Sequence, residues 1–104
     1  MGEIIYNKLI RDDIPKIIEG NNKSCETEIV KGEDLFRLLN EKLQEEVEEY
    51  LESDNIEELA DILEVIHGII YHRNIKLEEL EEIRAKKKEE RGGFVKGIKL
   101  TKVY

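Results

Sequence analysis

From Glu33 to Arg73 the apolar residues recur every third or fourth position, and the recurrence breaks once, at Ser53-Asp54-Asn55. Two amphipathic helices, each burying one face, satisfy that pattern. The break is too short for anything but antiparallel neighbours. The first of the two runs from about Glu33 to Glu52, with Leu35, Leu39, Leu43, Val47 and Tyr50 on its apolar stripe. The second carries Leu59, Ile62, Val65, Ile66 and Ile69 and continues to about Arg73. Asp54 and Glu57 stand in capping-box positions at its start.

Two further helices are expected. One follows Asp12-Asp13, has Pro15 in its first turn and stops at Gly20-Asn21-Asn22. The other runs from about Leu77 to Arg91 and ends on Gly92-Gly93, a good C-terminal stop. The predicted fold is therefore all-α, an antiparallel bundle of about four helices in one domain, 1–104. Segments 24–30 and 98–103 alternate in places and are candidates for a short two-stranded pairing, the first acidic and the second basic. With 40% charged and 6% aromatic residues, no Trp and one Pro, composition favours helices over a β-sandwich.

A chain of 104 residues buries a core with little to spare. The apolar arc of the third helix covers about half of its cylinder, more than its neighbours can shield. A homodimer or higher homo-oligomer is expected to cover the rest. The net charge of −8 repels phosphate backbones and argues against a nucleic-acid polymer as partner. Cys25 stands alone, so no internal disulfide forms and a reducing compartment is suited. No signal peptide is visible. The apolar region from Ile56 to Ile70 is interrupted by Glu58, Asp61, Glu64 and His67, so no membrane span is expected and the expected location is the cytoplasm.

Carboxylates intrude where the helices should be apolar. On a wheel of 100° per residue with Leu39 at the origin, Glu46 falls at about −20°, inside the arc, and Glu49 at about −80°, on its edge. Glu41, Glu45, Glu48 and Glu52 lie beyond about ±120° and should be solvated. On the third helix, with Ile62 at the origin, Glu58 falls at about −40° and Asp61 at about −100°. Each helix thus offers one inner and one rim carboxylate at i, i+3 spacing, and the two pairs face each other. A buried, unpaired carboxylate costs several kcal/mol, a large part of the ~5–15 kcal/mol available to a domain. A cation must neutralise the cluster, or buried Lys and Arg must. Oxygen donors alone select Mg²⁺, Mn²⁺ or Ca²⁺, with Zn²⁺ disfavoured because no His or Cys joins them. The competing reading is that Glu-rich helices are merely wet and that Lys42, on the same face, pairs with Glu46.

Glu45-Glu46-Val47-Glu48-Glu49 followed by Glu58-Leu59-Ala60-Asp61 resembles the E-E-x-x-E … E-x-x-D signature of the MazG-like all-α nucleoside triphosphate pyrophosphohydrolases. Tyr6-Asn7-Lys8-Leu9-Ile10-Arg11-Asp12, Ile14-Pro15 and Arg91-Gly92-Gly93-Phe94 are similar to the stand-alone, phosphoribosyl-ATP pyrophosphohydrolase-like branch. The resemblance spans nearly the whole chain. It implies a helical core binding Mg²⁺, with Mn²⁺ as substitute. It also implies cleavage of a small-molecule nucleotide between its α and β phosphates, with removal of unwanted nucleotides as the role. Carried over, Glu46, Glu49, Glu58 and Asp61 are the metal ligands. Glu45 and Glu46 are the candidates for catalytic proton transfer, although the wheel turns Glu45 outward. Eight residues separate Glu49 from Glu58, fewer than is usual in the family. The loss of about seven residues removes roughly one turn from each helix and keeps the faces in phase. The alternatives are a phosphoribosyl-ATP pyrophosphohydrolase of histidine biosynthesis and a non-catalytic dimeric helical module that binds a nucleotide or a protein.

Basic residues offer phosphate contacts. Leu77 and Leu80 share a helical stripe with Arg84, Lys87 and Arg91, so one face turns from apolar to cationic along its length. These three, with Lys8 and Arg11 near the N-terminus, are the candidate clamp on substrate phosphates. The opposing reading is that cations favour a helix C-terminus and that Lys8 and Arg11 pair with Asp12 or Asp13. His67, His72 and Cys25 read as structural or surface residues.

Overall fold

The computed structural model describes residues 2–104, and among them the regular structure is helical throughout: α1 (Ile14–Gly20), α2 (Gly32–Ser53), α3 (Ile56–His72) and α4 (Leu77–Arg91). The chain forms two compact units, one of residues up to Ile69 and one of Ile70–Tyr104. No helix among the described residues is long and apolar enough to cross a membrane.

Local chemistry accounts for the boundaries. Pro15 sits in the first turn of α1, where its missing N–H is no loss. Between α2 and α3, Asp54 and Asn55 divide the work differently from the expected capping box. Asp54 closes α2 in the left-handed conformation, φ 54°, with its N–H on the Tyr50 carbonyl at 2.8 Å. Asn55 caps α3 instead, its side-chain Oδ1 accepting from the Glu57 N–H at 3.0 Å. An Asp or Asn tolerates φ > 0 far better than a β-branched residue, so the two polar residues serve two helices in two positions.

In the first unit α2 and α3 are antiparallel. A Cβ built on Gly68, late in α3, would lie 3.4 Å from Leu39 Cδ2, early in α2. Nearer the connection, Glu46 of α2 meets Glu58 and Asp61 of α3. Gly68 thus gives Leu39 the room that makes it the one apolar side chain of this unit, among the described residues, that is buried, at 4% exposure.

In the second unit the end of α3 is closed by a Schellman motif. Asn74 takes φ 58°, the Ile75 N–H reaches the Ile70 carbonyl at 2.9 Å and the Asn74 N–H reaches that of Tyr71 at 3.2 Å. Ile70 is buried there. Gly92 ends α4 at φ 83°, where a side chain would be strained, and donates to the Lys88 carbonyl at 2.7 Å.

The expected strand pairing is absent. Neither 24–30 nor 98–103 is a strand, and Ile29, Ile98, Leu100 and Val103 stand exposed. Two short strands alone are marginal in water, and alternation without a buried face does not hold a ladder together.

The cap assignment is testable. Asn55→Ala should destabilise the protein by about 1 kcal/mol, or roughly 4–8 °C in melting temperature, whereas Glu57→Ala should change it little. Thermal unfolding of the two variants checks the ranking, which the capping-box expectation reverses.

Candidate metal centre

α2 delivers its inner carboxylate by simple periodicity. Glu46 lies one helical turn beyond Lys42 on the Leu39 face and is buried, at 6% exposure. Glu45, on the adjoining strip, is half-buried, whereas the wheel placed it in solvent. From α3, Glu58 and Asp61 are half-buried, and Glu49 is exposed, as a rim position should be.

Two carboxylate triads result, each with ligand oxygens all within 4.8 Å of one another: Glu45, Glu46 and Glu49 along α2, and Glu46, Glu58 and Asp61 across α2 and α3. Glu46 belongs to both. Of the four expected ligands, Glu46, Glu58 and Asp61 come together as one set, and Glu49 joins through Glu46. Oxygens around a six-coordinate Mg²⁺ at ~2.1 Å are about 3 to 4 Å apart, and carboxylates this close could hold a small hard cation. One oxygen of Glu46 and one of Glu58, Oε2 in each, are buried with no hydrogen-bond partner. Native interiors rarely leave such groups unmatched, and a bound cation is one of the few ways to match them. The donor set therefore fits Mg²⁺ or Mn²⁺.

Cations reach the same cluster. Lys42, itself largely covered, lies 3.2 Å from Glu46 Oε1 and 3.3 Å from Glu45 Oε2, so the pairing weighed from the sequence is present. It satisfies one oxygen of Glu46 and leaves the other. Lys8 Nζ donates to Glu45 Oε1 at 2.8 Å, and Arg11 Nη2 donates to Asp61 Oδ1 at 2.5 Å. Neither takes Asp12 or Asp13. A cleft of about 280 Å³ opens here, lined by Lys8, Ile10, Arg11, Ile14, Lys42, Glu46 and Asp61. Ile10 and Ile14 were missed from the sequence; their i, i+4 spacing was the available signal, but Ile10 precedes the helix and breaks the wheel argument.

The neighbouring glutamates titrate in opposite directions. Burial pushes Glu46 above the ordinary value, against the opposing pull of Lys42. The Lys8 hydrogen bond holds Glu45 below it, and the same bond raises Lys8.

The remaining expected phosphate contacts stand on α4, in the second unit. Arg84 is ion-paired with Glu81 one turn away, and Arg84, Lys87 and Arg91 are all exposed. His67, His72 and Cys25 are exposed as well, with His72 edge-on to Tyr71 at 5.0 Å.

Comparison of the chain with protein-family models, with characterised proteins and with solved structures found no match.

The opposed shifts make a sharp expectation for the metal-free protein. Between the ordinary value of 4.5 and its higher folded value, Glu46 binds more protons in the folded chain than in the unfolded one. Its contribution to stability is therefore lost as pH rises through that window. Glu46→Gln keeps the shape and removes the charge, so in excess chelator it should melt higher than the unaltered protein. The gap should be small near pH 4.5 and widen as pH rises. Glu58→Gln should also raise the apo melting temperature, and Glu48→Gln, fully solvated, should not. A drop for Glu46→Gln would mean that its pairing with Lys42 outweighs its burial.

Proposed function

We propose that this protein is a divalent-cation-dependent nucleoside triphosphate pyrophosphohydrolase, cleaving between the α and β phosphates to give a nucleoside monophosphate and pyrophosphate. The observation that carries the reading is the pair of buried, unpartnered oxygens of Glu46 and Glu58 inside a carboxylate triad on two rigid helices. Charge supports it. Glu45, Glu46, Glu49, Glu58 and Asp61 face Lys8, Lys42 and Arg11, which leaves a deficit of two charges, the amount one Mg²⁺ supplies. The sequence resemblance to the MazG-like enzymes points the same way.

Glu46, Glu58 and Asp61 would hold the ion, with Glu49 at the open side. A divalent cation held there would neutralise phosphate charge and lower the pKa of a bound water. The rest falls to the chain's own groups. Lys42 and Lys8, gathered by Glu45, present ammonium groups along one wall of the cleft, and Arg11 presents a planar guanidinium suited to a phosphate. Ile10 and Ile14 give the cleft an apolar wall that limits water around the reacting bond. Glu45, held charged by two lysines, is a weak proton acceptor and serves to place them. The carboxylates beside the ion are the groups placed to take the proton from that water.

The active form is proposed to be a homodimer. Ile56, Leu59 and Leu63 lie along one side of α3 at 79%, 43% and 58% exposure. A second copy covering its own equivalent strip is the simplest closed solution. Removal of unwanted nucleotides is the proposed role.

Addition of Mg²⁺ or Mn²⁺ should raise the melting temperature, by about 2.7 kcal/mol of stabilisation at a hundredfold excess over Kd. A panel of nucleoside triphosphates followed by pyrophosphate detection should reveal turnover. Glu46→Gln and Glu58→Gln should lower it by at least about a hundredfold, from the several kcal/mol that a cation contributes, and Glu48→Gln should leave it intact. No thermal shift with either cation, with nucleotide present as well as absent, would remove the basis for the reading.

The dimer is checked separately by sedimentation at micromolar concentration. The unaltered chain should run as a dimer or larger, and Leu63→Glu should run as a monomer.

A further inference from the structure

The residues before α1 are not helical, yet they supply two of the three cations at the carboxylates. Asn7 turns the segment at φ 45°, a conformation that Asn tolerates. Lys8 follows, its ammonium 5.6 Å over the Tyr6 ring and bonded to Glu45 at 2.8 Å. Arg11 closes the segment, bonded to Asp61 through its side chain and to the α1 Ile14 N–H, at 3.1 Å, through its carbonyl. The far end is thus tied to a helix by backbone, while Lys8 ties the near end to the site through its ion pair with Glu45, with Leu9 and Ile10 half-buried between them.

Those pairs are made with the wrong partner for a loaded site. Asp61 belongs both to the Arg11 pair and to the triad that fits a divalent cation. The Lys8 and Arg11 side chains are 40% and 54% exposed, and ion pairs that open to water hold weakly. Two positive charges placed among Glu46, Glu58 and Asp61 would repel a guanidinium within a few ångströms. A phosphate-bearing ligand would bring new anions into the cleft that Lys8 and Arg11 already line.

We propose that residues 6–11 form a cation-released strap: Lys8 and Arg11 hold it on Glu45 and Asp61 while the triad is empty of cation, and they pass to the ligand's phosphates once a divalent cation binds. The inference rests on the metal-site reading above. It makes the two cationic side chains competitors of the bare metal ion and allies of the phosphate ligand, so their removal acts in opposite directions on the two.

Mn²⁺ alone is the first probe, its free concentration followed by electron paramagnetic resonance. Inorganic tripolyphosphate in saturating Mg²⁺ is the second, by calorimetry. Lys8→Gln and Arg11→Gln are compared with Arg37→Gln, which removes an exposed cation paired with Glu41 at 3.2 Å on the same helix and controls for net charge. The expected result is that Arg11→Gln binds Mn²⁺ roughly tenfold more tightly than Arg37→Gln, and Lys8→Gln by a smaller factor, while both bind tripolyphosphate at least about tenfold more weakly, tenfold being one ion-pair-sized change. Hydrogen exchange on the unaltered protein supplies the second line, independent of whether any variant folds. Amides of residues 6–11 should exchange faster on addition of Mn²⁺ alone and slower again with tripolyphosphate. If Mn²⁺ binds but the variants match Arg37→Gln and exchange does not change, the strap is overturned and the metal centre stands. If no variant and no unaltered protein binds Mn²⁺, the metal centre and the strap both fall.

Discussion

A carboxylate taken out of water loses several kcal/mol of hydration unless charge or hydrogen bonds replace it, and Glu46 is 6% exposed with one oxygen unmatched. Its surroundings are arranged around that debt. Lys42, one turn earlier, covers one oxygen; Glu45, next to it, steadies Lys42 and draws Lys8 in from the N-terminal segment. The other oxygen of Glu46 has no hydrogen-bond partner, and the carboxylates gathered around the residue, Glu58 and Asp61 among them, carry its own sign, with Glu58 also carrying an unmatched oxygen. Such an arrangement is poor as a structural core and well suited to holding a hard cation, which is why the metal-centre reading carries the functional proposal.

The frame that permits this is the α2–α3 hairpin. Helices hold i, i+3 carboxylates one above the other without further help, so one close antiparallel crossing brings both pairs together. Gly68 against Leu39 sets the closeness at one end, and the Asp54–Asn55 junction sets it at the other by ending one helix and capping the next within two residues. Little apolar burial supports the frame: Ile56, Leu59 and Leu63 of α3 remain exposed, and Ile62, Val65, Ile66 and Ile69 are half-buried. A second copy of the chain would supply what the first unit lacks.

The segment before α1 connects the frame to the chemistry. Its two cations satisfy the carboxylates of the cation-free protein and wall the cleft at the same time. On the proposed strap the same residues would serve stability in one state and ligand binding in another, which exposed ion pairs allow because they exchange partners at small cost. Burial sets Glu46 apart from Glu45 within this network, raising the proton affinity of one while a lysine lowers that of the other.

The helices, their lengths to within a residue or two, the inner position of Glu46 and the rim position of Glu49 were all legible in the sequence, because the 3.6-residue period is a local property and a wheel reads it directly. The division of labour between Asp54 and Asn55 was not, since either residue can cap a helix and only the path of the turn decides which does. Nor could alternation at 24–30 and 98–103 distinguish a strand from an exposed loop. The sequence by itself determined that inward carboxylates must be compensated and offered Lys42 as a partner for Glu46, while Lys8 and Arg11 read as phosphate contacts or partners of Asp12 and Asp13. Which cation meets which carboxylate was decided by the tertiary structure alone: Lys8 reaches Glu45 across 37 residues and Arg11 reaches Asp61 across 50, and no periodicity extends through the turns and loops that bring such distant residues together.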